Sequence, residues 1–227
     1  MVNSNGFNAL DLIFEQCNKE ASNFQKNLIL NEGTKSRLNV LIDTIEEGKF
    51  KTEKDKGDSL ESLTRETLNG LKFFEAFPNI HTSTNEIDFL CKLNTSGAIA
   101  KSKGYFNFED EFLIECKNYA GKVDVTFVGK FAYLLLSQSK KLGILVSKNG
   151  VTGSKWSNAY GWIKKLYLKH DVLIVSFTLD DFKELIEGKS FFEIIEIKKM
   201  DIINDTDINS YLQKHPAVDT DSDLEAE

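Results

Sequence analysis

Phe112-Leu113-Ile114-Glu115-Cys116-Lys117 sets a carboxylate and an ammonium two residues apart in an otherwise apolar run. Read as a β-strand, its period of two places Leu113, Glu115 and Lys117 on one face and Phe112, Ile114 and Cys116 on the other. One face is then core, and the other presents a charged pair whose Cα atoms lie roughly 7 Å apart. A strand this apolar seldom carries two charges unless they are paired or bind a metal. The stretch therefore predicts both a sheet strand and a site built on it.

Working outward, residues 86–92 alternate, with Ile87, Phe89 and Cys91 facing one way and Asp88, Leu90 and Lys92 the other. Residues 95–104 read as a small, polar turn region, which makes the two strands hairpin neighbours and brings Asp88 close to Glu115. On the far side, residues 125–138 predict a helix with Val128, Phe131, Ala132 and Leu135 inside. Leu142-Gly143-Ile144-Leu145-Val146-Ser147 is a continuous apolar strand of the kind buried in a parallel or mixed sheet. A helix over 154–168 buries Trp156, Tyr160, Ile163 and Leu166 and turns Lys155, Lys164 and Lys165 outward, so its tryptophans read as core before base-stacking platforms. Residues 172–177 give another buried strand, and 179–186 an acidic helix that resumes from Phe191.

Toward the N-terminus, Leu60, Leu63, Leu68, Leu71 and Phe74 predict a helix over 59–74, with Pro78-Asn79 closing the region. Glu61 sits about 20° from Leu68 around that helix, on the flank of its buried face, whereas Glu66 points away. Asp58-x-x-Glu61 also fits a capping box, so Glu61 has a structural reading beside a site reading, and the two are compatible. A charged connector, 49–58, precedes it. Two amphipathic helices come first, one over 7–30 (Phe7, Leu10, Phe14, Cys17, Ala21, Phe24, Leu28) and one over 35–47 (Leu38, Leu41, Ile42, Ile45). They predict a helical hairpin over 1–50 that must bury its stripe on the domain, on another copy in a homo-oligomer, or on a protein partner. The main domain is 51–203. Residues 204–227, with Asp221-Ser222-Asp223, hold too little apolar content to order themselves and predict a disordered acidic tail.

With 227 residues, 41% of them hydrophobic, the chain can bury the core of one domain with appendages. No apolar stretch approaches the roughly 20 residues needed to span a bilayer, and the start lacks the basic region and cleavage site of a signal peptide, so a cytoplasmic protein is expected. Cys17, Cys91 and Cys116 are scattered and read as reduced, buried thiols. His81, His170 and His215 show no ligand spacing, which argues against a zinc enzyme or a His-based triad. The net charge of −7 hides an asymmetry: residues 111–170 carry ten Lys and Arg against three Asp and Glu, whereas 171–227 carry five against fifteen. Local charge governs binding to a polyanion, so the basic stretch reads either as a phosphate-binding surface or as a solvated face.

The order of elements implies an α/β domain with a mixed central sheet, a hairpin feeding parallel crossovers. Asp88 and Glu115 on adjacent strands converge there with Glu61 on the neighbouring helix. Three carboxylates in one cleft repel unless protonated or neutralised, and a hard divalent cation is the natural resolution. A metal-activated water with Lys117 at the developing negative charge is equipment for phosphodiester hydrolysis. Glu-x-Lys by itself says little, because it occurs four times, also at Glu47-Gly48-Lys49, Glu187-Gly188-Lys189 and Glu196-Ile197-Lys198. Only Glu115 and Lys117 lie in a strand, follow an Asp-bearing strand and precede a helix-strand-helix unit.

Those residues carry a resemblance. Lys56-Gly57-Asp58-Ser59-Leu60-Glu61, then Asn85-Glu86-Ile87-Asp88-Phe89-Leu90, then Leu113 to Tyr119, then Gly143-Ile144-Leu145-Val146-Ser147 before a Gly-Val-Thr loop, resemble the PD-(D/E)xK nuclease superfamily, and within it the Mrr-type restriction endonuclease-like domains. The match covers about residues 57–186. It implies a restriction-endonuclease-like fold, with Asp88, Glu115 and the Cys116 backbone carbonyl ligating Mg²⁺ (Mn²⁺ substituting), Lys117 serving the attacking water, and Glu61 as the helix acid beside the metal. The activity implied is a Mg²⁺-dependent nuclease, a DNA endonuclease in restriction, defence or repair; the basic stretch then offers Lys122, Lys130, Lys155, Lys164 and Lys165 as phosphate contacts. A catalytically silent nucleic-acid-binding or scaffold module of the same fold is the alternative. Two departures stand out: Glu86-Ile87 precedes Asp88 where the superfamily name has Pro, and Glu115 stands where many Mrr-type domains have Gln.

Overall fold

The computed structural model describes residues 9–81 and 86–204. Along the chain run α1 (Ala9–Leu28), α2 (Glu32–Glu47), α3 (Glu53–Gly70), β1 (Phe74–His81), β2 (Glu86–Leu93), α4 (Thr95–Ser102), β3 (Glu111–Lys117), α5 (Val125–Ser137), β4 (Leu142–Ser147), α6 (Asn158–His170), β5 (Leu173–Phe177), α7 (Leu179–Glu187) and α8 (Phe191–Asn204). The sheet order is β1-β2-β3-β4-β5. Its first two pairings are antiparallel and its last two parallel. This is the mixed, helix-flanked sheet expected from the sequence. β4 is buried at every position, as a uniformly apolar strand inside such a sheet must be.

Both faces of β3 are covered. Leu113, Glu115 and Lys117 share their face with Gly143 and Leu145 of β4, and α5 lies over it. Gly143 is where that helix seats: a Cβ there would stand 2.6 Å from Leu135 Cδ1 and 2.7 Å from Phe131 Cε1. The opposite face holds Phe112, Ile114 and Cys116, packed beneath α3 and an aromatic cluster in which Phe112 meets Phe74 and Phe108 at 5.0 and 5.3 Å. The charged face is thus roofed rather than open to solvent.

Four expectations change. The helix expected over 59–74 begins instead at Glu53, because Thr52 offers a cap, its side chain accepting from Asp55 N, and Glu53 and Asp55 complement the first turn. Asp58 is therefore inside α3, and the capping box with Glu61 does not form. β1 is disguised by Pro78, which lies in its middle; on an edge strand the missing N–H costs nothing. The expected turn region after β2 contains α4, capped by Asn94, whose side chain accepts from Gly97 N.

α2 buries its stripe on the domain, and the described end of α1 packs there through Phe24 and Leu28. Leu38, Ile42 and Ile45 of α2 are core residues, packed toward α3 and α7. At the end of α1, Phe24 stacks on Tyr105 at 4.5 Å and meets Phe73 at 5.1 Å. The side chains of Phe7, Leu10, Phe14, Cys17, Ala21 and His81, residue His215 and the acidic tail beyond Asn204 lie outside the described residues. Among the described residues, no helix is long and apolar enough to cross a membrane.

Gly143→Ala should overpack the α5–β4 contact and lower stability by about 1–3 kcal/mol, read from urea unfolding. An unchanged midpoint would show that α5 does not bear on the strand there.

Candidate active site

The β2–β3 ladder runs from Lys92↔Glu111 to Phe89↔Ile114 and stops. The next rung would pair Asp88 with Glu115. Instead the strands part, and Asp88 Oδ2 accepts the Cys116 backbone N–H at 2.6 Å. A side-chain carboxylate thus takes the donor that a peptide carbonyl would have taken, which satisfies the backbone at the fork. An extended residue sends its N–H and C=O to the same side, so the Cys116 carbonyl also leaves β3 toward β2.

On the other face, Cys116 Sγ lies 3.4 Å from Thr64 Oγ1 of α3. Glu61 is one turn before Thr64 and shares its side of the helix, so this contact carries Glu61 toward the fork. Glu66 points away, as expected, and accepts from Arg37 Nε at 2.6 Å. Beyond the strand, Asn118 Nδ2 donates to the Lys56 carbonyl at 2.6 Å and to Ser59 Oγ at 3.2 Å, tying the end of β3 to the first turns of α3. Sequence reasoning assigns Asn118 no role; a side-chain amide directly after a charged strand is its only signal.

Lys117 Nζ and Glu115 Oε1 are 2.6 Å apart, with the Glu115 side chain only 16% exposed. Its other oxygen, Oε2, is buried and has no hydrogen-bond partner among the described residues. The pair opens onto a cavity of about 200 Å³ whose walls include Glu86, Phe127, Lys130, Phe131 and Leu145.

The charges do not balance. Burial, opposed by the Cys116 N–H and Lys117, pushes the Asp88 carboxyl above the ordinary carboxylate range. Glu115 is raised by burial and then by Asp88, against the pull of Lys117. Glu61 is raised by burial, Asp88 and Asp58, against the pull of Arg65 and Lys117. Burial alone would lower Lys117, but Glu115, by charge and hydrogen bond, and Asp88 hold its ammonium above the usual lysine value. Lys117 is therefore firmly protonated, a source of positive charge and not a base. Both described cysteines are free thiols raised by burial, so they are inert.

The four residues singled out as catalytic, Glu61, Asp88, Glu115 and Lys117, feel one another's charges here. Among the described residues no three His, Cys, Asp or Glu groups stand ready-made around a metal position; Asp88 accepts a backbone N–H and one Glu115 oxygen pairs with Lys117. The donor chemistry nevertheless fits a hard cation: raised carboxylates, and a buried carboxylate oxygen with nothing to bind.

The basic residues separate. Lys130 lines the Glu115–Lys117 cavity, with Nζ 5.3 Å from the Phe127 ring centroid. Lys122 and Lys155 are exposed in loops. Lys165 lies in a separate small cavity with Trp162 and Lys169. Lys164, expected to point outward, is fully buried, its Nζ 5.0 Å from the ring centroids of both Trp156 and Tyr160. Its long apolar stem and cation–π partners draw it under the loop before α6, so it cannot touch a phosphate.

No protein-family model and no curated protein matches the chain. Among solved structures, it is similar to the DNA modification-dependent restriction endonuclease AspBHI, at 17% identity and a TM-score of 0.39, over 70% of this chain and 36% of that one. The chain thus spans little more than a third of the length of that protein.

Asp88→Asn keeps an oxygen acceptor for the Cys116 N–H and removes the charge. A carboxyl raised by folding contributes stability below its unfolded pKa of about 3.9 and loses it as pH rises through the folded value. In EDTA at pH 8, Asp88→Asn should therefore melt above wild type, the gap closing as pH falls toward 4. A wild-type protein at least as stable at pH 8 would contradict that electrostatic reading.

Proposed function

We propose that the chain is a divalent-metal-dependent nuclease whose centre is the β2–β3 fork. The observation that carries this reading is three raised carboxylates against the Lys117 ammonium and, at Glu61, the Arg65 guanidinium, with Glu115 Oε2 buried and unpartnered among the described residues. Asp88 and Glu115 would hold Mg²⁺, with Glu61 and the Cys116 carbonyl nearby, and a bound cation would supply an activated water and charge neutralisation at phosphate. The chain's own residues do the rest. The Lys117 ammonium, held by Glu115, is placed to offset charge developing on a phosphate oxygen. Phe127, Phe131 and Leu145 give the cavity an apolar wall that strengthens every charge interaction within it. Lys130 at the same cavity is a phosphate contact. The resemblance to the PD-(D/E)xK superfamily, drawn from the same residues, supports DNA as the substrate.

One observation favours the silent nucleic-acid-binding alternative: Asp88 and one Glu115 oxygen already have internal donors. A module that never binds metal would keep these internal contacts as its charge compensation, whereas a metal site would use the oxygens they leave over. The two readings part on cleavage.

Purified protein should cleave DNA with Mg²⁺ or Mn²⁺ and stop on addition of EDTA. Lys117→Ala should lower the rate by about 10²–10³-fold, as loss of a preorganised charge at an oxyanion does. Mg²⁺ should also raise the melting temperature of wild type and leave that of Asp88→Asn unmoved. Cleavage retained in both variants would sink the assignment of the site, and DNA binding without cleavage under any divalent metal would favour the silent module.

A further inference from the structure

The charged connector at 49–58 has the composition of a boundary, yet the fold makes it a wall. A second cleft, of about 490 Å³, lies outside the carboxyl ends of β3 and β4, lined by Phe50, Lys51, Lys56, Asn118, Tyr119 and Lys148 among others. Crevices outside the carboxyl ends of the strands are where open α/β sheets bind ligands. Its floor directly continues the site, since Asn118 and Tyr119 follow Lys117. Lys51 is exposed. Lys148 Nζ donates to the Ile45 carbonyl at 3.2 Å, which leaves further ammonium protons available. Among the described residues, the Lys56 ammonium has one long contact, 3.5 Å, to Glu53, the carboxylate that also lines the cleft. The start of α3, at Thr52 and Glu53, opens onto the same space and adds the positive end of its dipole.

We infer that this cleft binds the phosphodiester backbone of the nucleic-acid strand beside the scissile position, with Lys51, Lys56 and Lys148 as its phosphate contacts. The inference rests on the nuclease reading for its substrate class. Nucleic acid is favoured over a small anion because the cleft adjoins the carboxylate fork through Asn118 while Lys130 lines the separate Glu115–Lys117 cavity, so one strand passing Lys117 would meet basic groups in both. Tyr119, 39% exposed, supplies an aromatic surface at the junction.

The test is binding of a labelled DNA duplex in EDTA, by fluorescence anisotropy across a salt series. Lys51→Ala/Lys56→Ala/Lys148→Ala should bind at least tenfold more weakly and flatten the log–log salt slope by about 2–3, near 0.9 for each phosphate that the protein no longer neutralises. Lys51→Glu alone, at an exposed position, should weaken binding several-fold and serves if the triple variant misfolds. Lys199→Ala on α8 is the control and should bind as wild type. Wild-type affinity and slope in Lys51→Glu would overturn the inference. So would inorganic phosphate or a mononucleotide stabilising wild type but not Lys51→Glu while duplex binding is unchanged, since the cleft would then be a small-anion site. Weakened binding in Lys51→Glu together with no wild-type cleavage under Mg²⁺ would uphold the cleft and reject the nuclease reading. Normal wild-type cleavage with KM unchanged in Lys51→Glu would do the reverse.

Discussion

Where β2 and β3 separate, three carboxylates gather around the Lys117 ammonium, with the Arg65 guanidinium acting on Glu61, and that imbalance is what the surrounding structure has to hold. The same strand shows the contrast. At its other end Glu111 is paired with Lys92 across the ladder, at 2.6 Å, and with Lys140, and these two lysines hold its carboxyl below the ordinary range. There two ammoniums meet one carboxylate and the ladder is intact. At the Glu115 end the acids exceed the cations, their carboxyls are raised, and the ladder stops. A buried, under-compensated carboxylate is costly, so it persists only where the rest of the fold supplies the stability. The uniformly buried β4, the aromatic cluster around Phe112 and the α5 contact at Gly143 are that supply.

Much of this is legible in the chain, and the reasons are local. β3 and β4 announce themselves because an apolar run of six or seven residues has few alternatives in a chain of alternating helices and strands. The three other Glu-x-Lys tripeptides can be set aside on local grounds, and the structure agrees: Gly48 and Gly188 end helices at φ 66° and 109°, and Glu196 lies within α8. The convergence of Asp88 and Glu115 follows from register alone. What register cannot give is the parting of the strands, because the choice between a carbonyl and a carboxylate as partner for the Cys116 N–H is made by tertiary geometry.

The misses have physical causes as well. Pro78 disguises an edge strand, since a proline argues against a strand only where its N–H is needed. Lys164 has the periodicity of an outward-facing residue, but two aromatic rings and a long methylene stem outweigh that preference. Thr52 out-competes Asp58 as a cap because a helix begins at the first adequate cap that its downstream packing allows, and Leu60 and Leu63 pack equally well in a helix started six residues earlier.

That last shift bears on the site more than its size suggests. With the cap at Thr52, Glu61 has no capping duty left, and its raised carboxyl answers to burial and Asp88. The same shift brings Lys56 into the first turns of α3, where its carbonyl receives the Asn118 amide. Asn118 stands one residue beyond Lys117, so a single side-chain amide joins the strand that bears the charged pair to the helix that bears Glu61. The connector, the cleft it walls and the carboxylate fork are therefore parts of one packed unit. A displacement of α3 along its axis would move Glu61, Thr64 and Lys56 together, altering the acid count at the fork and the basic lining of the cleft in the same motion.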